Sequence, residues 1–365
     1  MTVECTKVGG VNLAQGICDT EVPAVVRCAA QSAIDGEYNI YSRYDGLGEL
    51  RQALAAKMEG YNRLTYDPET EIVVTVGATG AFYVVANALL SAGDEVVLFE
   101  PFYGYHVNTL RVLDVEPVFV SMLPPEWRFD AATLERAITP RTRAIVVNTP
   151  ANPSGKIFSE KELLQIADVA IRHDLFVLTD EVYEHFVFDG RRHVSPASLP
   201  RMRERTITMS SLSKTLAATG WRLGWIAAEA RWAQAFGPLN DLFYVCAPSP
   251  LQLGAAHGLA GLGPDYYVGI VSEYQAKRDQ LCAALERAGF PPCKPQGAYY
   301  VLADISRLAG RTSRERVMEL LRRSGVAAVP GEAFFRGAGG HHLARFCFGK
   351  TDADLAEACR RLQKC

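Results

Sequence analysis

The chain has no CxxC pair, no surplus of basic charge, no long apolar run and no low-complexity tract. Each absence removes a class of function. The 9 cysteines are scattered through 365 residues, an odd number without metal or redox spacing, which argues for reduced thiols in a cytoplasm. Lys and Arg total 38 against 41 Asp and Glu, so there is no basic field to hold nucleic acid. No stretch approaches the roughly 20 apolar residues that span a bilayer. The start, MTVECTKVGG, lacks the charged end and apolar core of a secretory signal. Only His341 and His342 are adjacent among the histidines and no pair has ligand spacing, so a solvated turn explains them and no metal is expected. What remains is a cytoplasmic protein that handles a small molecule, away from membrane and nucleic acid.

What is present is regular alternation. The chain is too long for one small core and fits a large domain with a smaller one. From residue 71, short β-branched runs alternate with helical patterns: EIVVTV then GAFYVVANALL, EPVFVSM then AATLERAI, RAIVVNTP then EKELLQIADVAIRHD, then LFVLTDEVY. That order predicts an α/β fold with a mostly parallel sheet between helices. TITMSSLSK and RLGWIAA add two strands whose short link predicts a hairpin with an antiparallel member. After a long helix, DYYVGIVSEYQAKRDQLCAALERAG, the strands AYYVLADIS, VAAVPGEAF and LARFCFG with their helices predict a smaller α+β domain. The expected division is 1–35 as an N-terminal arm and part of the small domain, 36–265 as the large domain and 266–365 as the small C-terminal domain, with a cleft between.

Ligand sites in such folds lie at the carboxyl ends of the parallel strands, and the loops predicted there carry unusual chemistry. VGATGAF turns from strand to helix at Gly77, so Ala78 and Thr79 offer free N–H groups and a hydroxyl, as a phosphate cradle does or as an ordinary N-cap does. Tyr103 in EPFYGYH has the place of a ring that stacks on a planar ligand or packs in the core. Asn148 and Asn152 in NTPANPSG either shape a turn or hold a ligand oxygen. Asp180 and Glu181 in TDEVYEH end an apolar strand, where a buried carboxylate needs a cation, and Tyr183 follows within reach of Asp180. SSLSKTLAATGWRLGW delivers Lys214 from a strand end into small hydroxyl residues, with Arg222 eight positions on. One ligand uses all of these features together: pyridoxal 5′-phosphate, which takes a lysine as a Schiff base, a carboxylate at its ring nitrogen, hydrogen-bond donors at its phenolic oxygen, and N–H groups with an arginine at its phosphate.

The same segments carry a resemblance. NLAQG, YSRYDGLGELRQALA, VTVGATGA, EPFYGY, NTPANPSGKIFS, TDEVYEH, SLSKTLAATGWRLGW, VPGEAFF and HLARFCFG occur in the order found in the class I/II aminotransferases, fold type I pyridoxal phosphate enzymes. Within them the chain resembles most the kynurenine, glutamine and methionine aminotransferase-like group. The resemblance spans nearly the whole chain. It implies that residues 36–265 bind the cofactor, with Lys214 as Schiff-base lysine and general base and Asp180 as the partner of the ring nitrogen. Asn152 and Tyr183 correspond to the partners of the phenolic oxygen. Ala78, Thr79, Ser211 and Arg222 correspond to the phosphate site, and Tyr103 to the stacking ring. Arg345 matches the arginine that grips the substrate's α-carboxylate, assisted by Gly16 and Asn152. Tyr41 matches a tyrosine that reaches into a neighbouring subunit's site, which implies a homodimer with shared sites.

The activity so implied is ping-pong transfer of an amino group from an α-amino acid to a 2-oxo acid. Tyr103, Tyr105, Phe334 and Phe335 favour an apolar or aromatic side chain. The only second arginine suggested for a side-chain carboxylate, as in an aspartate-type enzyme, is Arg43. Two positions depart from the family: Gly16 is followed by Ile17 and Cys18 where a proline is frequent, and Ser154 replaces a frequent threonine. A carbon–sulfur β-lyase shares every cofactor residue and stands as an alternative. An acyl-CoA condensing enzyme of the same fold is disfavoured by Tyr183, which stands where a histidine is usual. A non-catalytic binding module is disfavoured by the presence of Lys214, and a transcription regulator by the want of a DNA-binding segment.

Overall fold

A computed structural model describes residues 1–365. The central sheet has seven strands: β1 (Ile72–Val76), β2 (Glu95–Glu100), β3 (Glu116–Ser121), β4 (Thr142–Asn148), β5 (Phe176–Asp180), β6 (Thr206–Ser211) and β7 (Leu223–Ala227). Their spatial order is β1-β7-β6-β5-β4-β2-β3. Only β7 runs antiparallel, against both β1 and β6. The short link between β6 and β7 allows no crossover, so the pair forms the expected hairpin.

The inner strands read as continuous apolar runs because both faces are covered. Val96 and Leu98 of β2 pack in the cluster that holds Ala81, Val84 and Val85 of helix Gly77–Leu89. Val97 and Phe99 point the other way, toward Leu163 and Ile166 of helix Glu160–Arg172. That second helix is fixed at its start by a capping box between Ser159 and Glu162.

A smaller antiparallel sheet follows, built from β8 (Pro292–Cys293), β9 (Tyr300–Asp304), β10 (Val329–Pro330) and β11 (Leu343–Cys347) in the order β10-β11-β9-β8. Its core is continuous with the loop after β5: Tyr183 and Phe186 pack with Tyr299, Tyr300, Phe346 and Leu281 in one buried cluster. Arg278, fully buried on helix Pro264–Arg287, ties the same loop down through two 2.7 Å hydrogen bonds to Asp189 and one of 3.2 Å to the Pro295 carbonyl. No helix is long and apolar enough to cross a membrane.

Behind the loop after β5 lies a buried polar cluster. Glu181 accepts from Ser195 Oγ at 2.8 Å and meets His193 Nε2 at 2.7 Å. Glu184 pairs with Lys57 and accepts from Asn62 Nδ2 at 2.9 Å. Glu181, Glu184 and His193 converge closely enough to suggest a metal site, but the Lys57 ammonium already supplies Glu184 with its cation. Burial pushes the Glu184 carboxyl up, and the charge of Lys57 beside it pulls the other way, leaving the group at about 2.

Burial also holds His185 neutral, with its proton affinity brought down from 6.5 to about 3. Stability from a His with a depressed folded pKa is whole above the unfolded value and is lost as pH falls toward the folded one. We therefore expect stability to decline below pH ~6.5, by up to ~1.4 kcal/mol per pH unit from this residue. Urea midpoints at pH 7, 6 and 5 should fall steadily in the wild type and much less in His185→Gln; parallel declines in the two proteins would assign the loss to other groups.

Candidate active site

Five strands that run the same way, β1, β2, β4, β5 and β6, send the segments that follow them to one edge of the large sheet. The cavity of about 290 Å³ that opens there is lined by residues from all five and by Gly16 and Tyr300 from outside the large sheet. Of the residues expected from sequence, Gly16, Ala78, Thr79, Tyr103, Asn152, Asp180, Tyr183, Ser211, Lys214 and Arg222 line it.

Lys214 sits on the single helical turn Leu212–Thr215 that follows β6 directly. Ser211 Oγ accepts from the Ser213 N–H at 3.0 Å and lies 2.9 Å from the Leu223 carbonyl, which fixes the turn against β7. Lys214 meets no carboxylate, and burial lowers its proton affinity below that of an ordinary lysine. Its Nζ lies 6.0 Å and 5.8 Å from the ring centres of Tyr183 and Tyr299.

An anion would find a prepared place at the start of helix Gly77–Leu89, where no side chain caps the first turn. Arg222 stands over it. A Cβ on Gly77 would fall 2.3 Å from Arg222 Nη2, and Gly77 has φ +69°, so only glycine lets the guanidinium come this close. Arg222 itself takes the left-handed conformation, φ 56°, and its only hydrogen bond is to the Thr219 carbonyl at 3.1 Å. Uncapped N–H groups, Ser211 and an arginine without an acid partner fit the phosphate of pyridoxal phosphate.

Asp180 ends β5 with one oxygen 3.0 Å from His106 Nε2 and the other 3.3 Å from the Val182 N–H. Asp180 and His106 are both buried. His106 comes from helix Gly104–Val112 and packs edge-on against Tyr103, with ring centres 5.2 Å apart. Asn148 Oδ1 accepts the Asn152 N–H at 2.8 Å, holding the NTPANPSG loop over β4. Asn152 Oδ1 in turn accepts from Arg345 Nη1 at 2.8 Å.

Arg345, on β11, also donates to the Ala14 carbonyl at 2.9 Å, and its Nε is buried without a partner. Its guanidinium lies 4.2 Å from the Tyr300 ring centre and 5.0 Å from that of Phe334, and it pairs with no carboxylate. Arg43, by contrast, is fully engaged: it forks onto Asp45 at 2.5 and 2.6 Å. Tyr41 lies outside the cavity wall of its own chain and is 79% exposed.

Phe82, His106, Thr109, Val182, Ser213 and Tyr300 also line the cavity and were not singled out in the sequence; His106 and Tyr300 matter most, because they meet Asp180 and Tyr183. His106 lies in the first turn of helix Gly104–Val112, three positions after its N-cap residue Tyr103. No local signal marks Tyr300, which reads as one more aromatic in a strand. Cys18, where the N-terminal loop departs from the family, lies with its Sγ 3.7 Å from the Lys214 carbonyl.

The family of aminotransferases of class I and II matches residues 8–362. The structure superposes on that of N-succinyldiaminopimelate aminotransferase from Mycobacterium tuberculosis with a TM-score of 0.96 at 38% identity, covering 100% of this chain and 95% of the other. The aspartate aminotransferase of Pyrococcus abyssi is 35% identical over 97% of this chain and 91% of its own. The aromatic-amino-acid aminotransferase 2 of Thermococcus litoralis is 35% identical over 98% and 91%. The chain belongs to the class I and II aminotransferases, pyridoxal phosphate enzymes of fold type I that transfer amino groups between amino acids and 2-oxo acids.

Proposed function

We propose that the enzyme takes the amino group of an apolar or aromatic α-amino acid and passes it to a 2-oxo acid in two half-reactions at this cavity. The observation that carries the reading is Arg345. A bidentate cation with no acid of its own, stacked on Tyr300 and Phe334, suits an α-carboxylate whose side chain lies among aromatic rings. Arg222 is the only arginine lining the cavity, Arg345 lies just behind its wall against Asn152 and Tyr300, and Arg43 is spent on Asp45, so no further arginine of the chain is placed for a side-chain carboxylate. This favours an uncharged substrate over the aspartate type.

Bound pyridoxal phosphate would supply an electron sink that makes the α-proton of the substrate acidic. The chain's own residues do the rest. Ala78, Thr79, Ser211 and Arg222 hold the phosphate, and Tyr103 stacks on the ring. Asp180, steadied by His106, keeps the ring nitrogen protonated. Asn152 and Tyr183 donate to the phenolic oxygen. Arg345, Asn152 and the Gly16 backbone orient the substrate's carboxylate. Lys214 anchors the cofactor at rest and, once released, takes the proton from the substrate's α-carbon. Its lowered proton affinity favours the neutral amine that this requires, and a base so placed contributes about 10²- to 10⁴-fold.

We infer further that the sites are shared in a homodimer. Ile40 and Tyr41 are 77% and 79% exposed, an apolar pair at the surface that a second copy would cover. The division at residues 35 and 265, with the substrate between the sheets, and a cytoplasmic setting for nine unpaired thiols belong to the same reading.

Incubation with one amino acid and no 2-oxo acid should convert the cofactor to its amine form once and then stop. Continuous release of ammonia and pyruvate from a cysteine conjugate would favour a β-lyase instead, and a strong preference for aspartate would defeat the apolar substrate. Lys214→Ala should stay folded, lose about 10²-fold or more of turnover, and no longer retain cofactor after borohydride treatment. Retention of both properties would remove Lys214 from its role. Heterodimers of Lys214→Ala and Tyr41→Ala chains should regain activity, because one site collects both defects and the other has neither. No recovery in verified heterodimers would place Tyr41 outside the neighbour's site.

A further inference from the structure

Tyr300 touches three elements of the site at once. Its hydroxyl lies 3.0 Å from that of Tyr183, a residue 117 positions away in the chain. The Arg345 guanidinium covers its ring at 4.2 Å. A Cβ on Gly16 would come within 2.0 Å of its hydroxyl oxygen, so the N-terminal loop closes over Tyr300 only because residue 16 has no side chain. With its ring wedged edge-on to Tyr183 and against Tyr299, the hydroxyl has one place to be.

Each phenol has one proton to donate and can accept on its oxygen. Burial pushes Tyr300 up to about 12 and Tyr183 well above the ordinary tyrosine range, so both carry their protons at neutral pH. One proton serves the bond between them. If Tyr183 donates it, nothing is left for the cofactor; if Tyr300 donates, the Tyr183 proton is free.

We propose that Tyr300 is a positioning residue whose hydroxyl donates to Tyr183 and thereby commits the Tyr183 proton to the phenolic oxygen of the cofactor. The inference rests on the pyridoxal phosphate reading of the cavity. A negative oxygen beyond Tyr183 selects this direction, because a charge-assisted bond is about twice as strong as a neutral one, and each link polarises the next. The charge of Arg345 above the Tyr300 ring makes its O–H the better donor. The other titratable groups facing the pair are Tyr103, Tyr299, Cys347 and Lys214. Tyr299 lies close enough to act on both hydroxyls, but its own O–H is directed to the Gly16 carbonyl at 3.3 Å, which leaves the Tyr183 oxygen to Tyr300 at 3.0 Å.

Donation to the phenolic oxygen draws charge from it, and the nitrogen contributed by Lys214, conjugated with that oxygen through the ring, then holds its proton less tightly. The experiment is therefore spectroscopic: the pH midpoint of the visible absorbance change of the cofactor-loaded enzyme. Tyr300→Phe keeps the ring and should raise the midpoint by about half a pH unit. Tyr183→Phe should raise it further. Adding Tyr300→Phe to Tyr183→Phe should then leave the midpoint unmoved, since the bond that transmits the effect is gone.

A lower midpoint in Tyr300→Phe, or an unchanged one accompanied only by altered thermal stability, overturns the proposal, as does a further shift in the double variant. A wild-type enzyme without a pH-dependent visible band would sink the cofactor reading and this inference with it. A band that Tyr183→Phe moves and Tyr300→Phe leaves in place sinks this inference alone.

Discussion

The site depends on two guanidinium groups that the protein leaves without acids. Arg222, which is exposed, and Arg345, which is buried, have carbonyls and one amide for company, while the other two buried arginines, Arg278 and Arg51, are matched by carboxylates on Asp189, Asp279 and Glu69. Desolvating a cation without a counter-charge costs several kcal/mol. Arg345 bears that cost behind the cavity wall, against Asn152 and Tyr300, and Arg222 lines the cavity itself; a carboxylate and a phosphate would neutralise them there. Their separation into two places, one at a helix start and one on the small sheet, sets the two ends of what binds between them.

The loop after β5 joins this electrostatic demand to the core. Along residues 180–184 the chain sends Asp180 and Tyr183 into the cavity and Glu181 and Glu184 into the buried cluster with His193 and Lys57. The two sets of side chains share one stretch of backbone. Rigid pairing behind the loop therefore fixes the groups in front of it, as a supporting layer does for any preorganised site. Arg278 adds a third restraint through Asp189, at the far end of the same loop.

The small sheet completes the cavity by register. Leu302 of β9 faces Arg345 of β11, and Tyr300 faces Cys347, so Tyr300 and Arg345 lie two residues apart across one antiparallel pair. That diagonal lets the guanidinium lie on the phenol ring. The residues come from opposite ends of the small-domain segment, and only pairing of these strands brings them together.

The alternation of strands and helices, the β6–β7 hairpin and the strand-end lysine were legible in the sequence, because period-2 and period-3.6 patterns and turn residues report on neighbours a few positions away. Gly77 ahead of an apolar helix, and Lys214 just past TITMSS, are signals of that local kind. His106 and Tyr300 carried none that was used: one is a polar residue on a short helix, the other an aromatic in an apolar strand. The partners that give them meaning are 74 and 117 positions away. The sequence by itself determined which groups are available at the strand ends. Only the tertiary structure decided that Asp180 meets His106 and that Tyr183 meets Tyr300, because those contacts follow from helix docking and from the packing of the small sheet on the large, distances over which no local periodicity reaches.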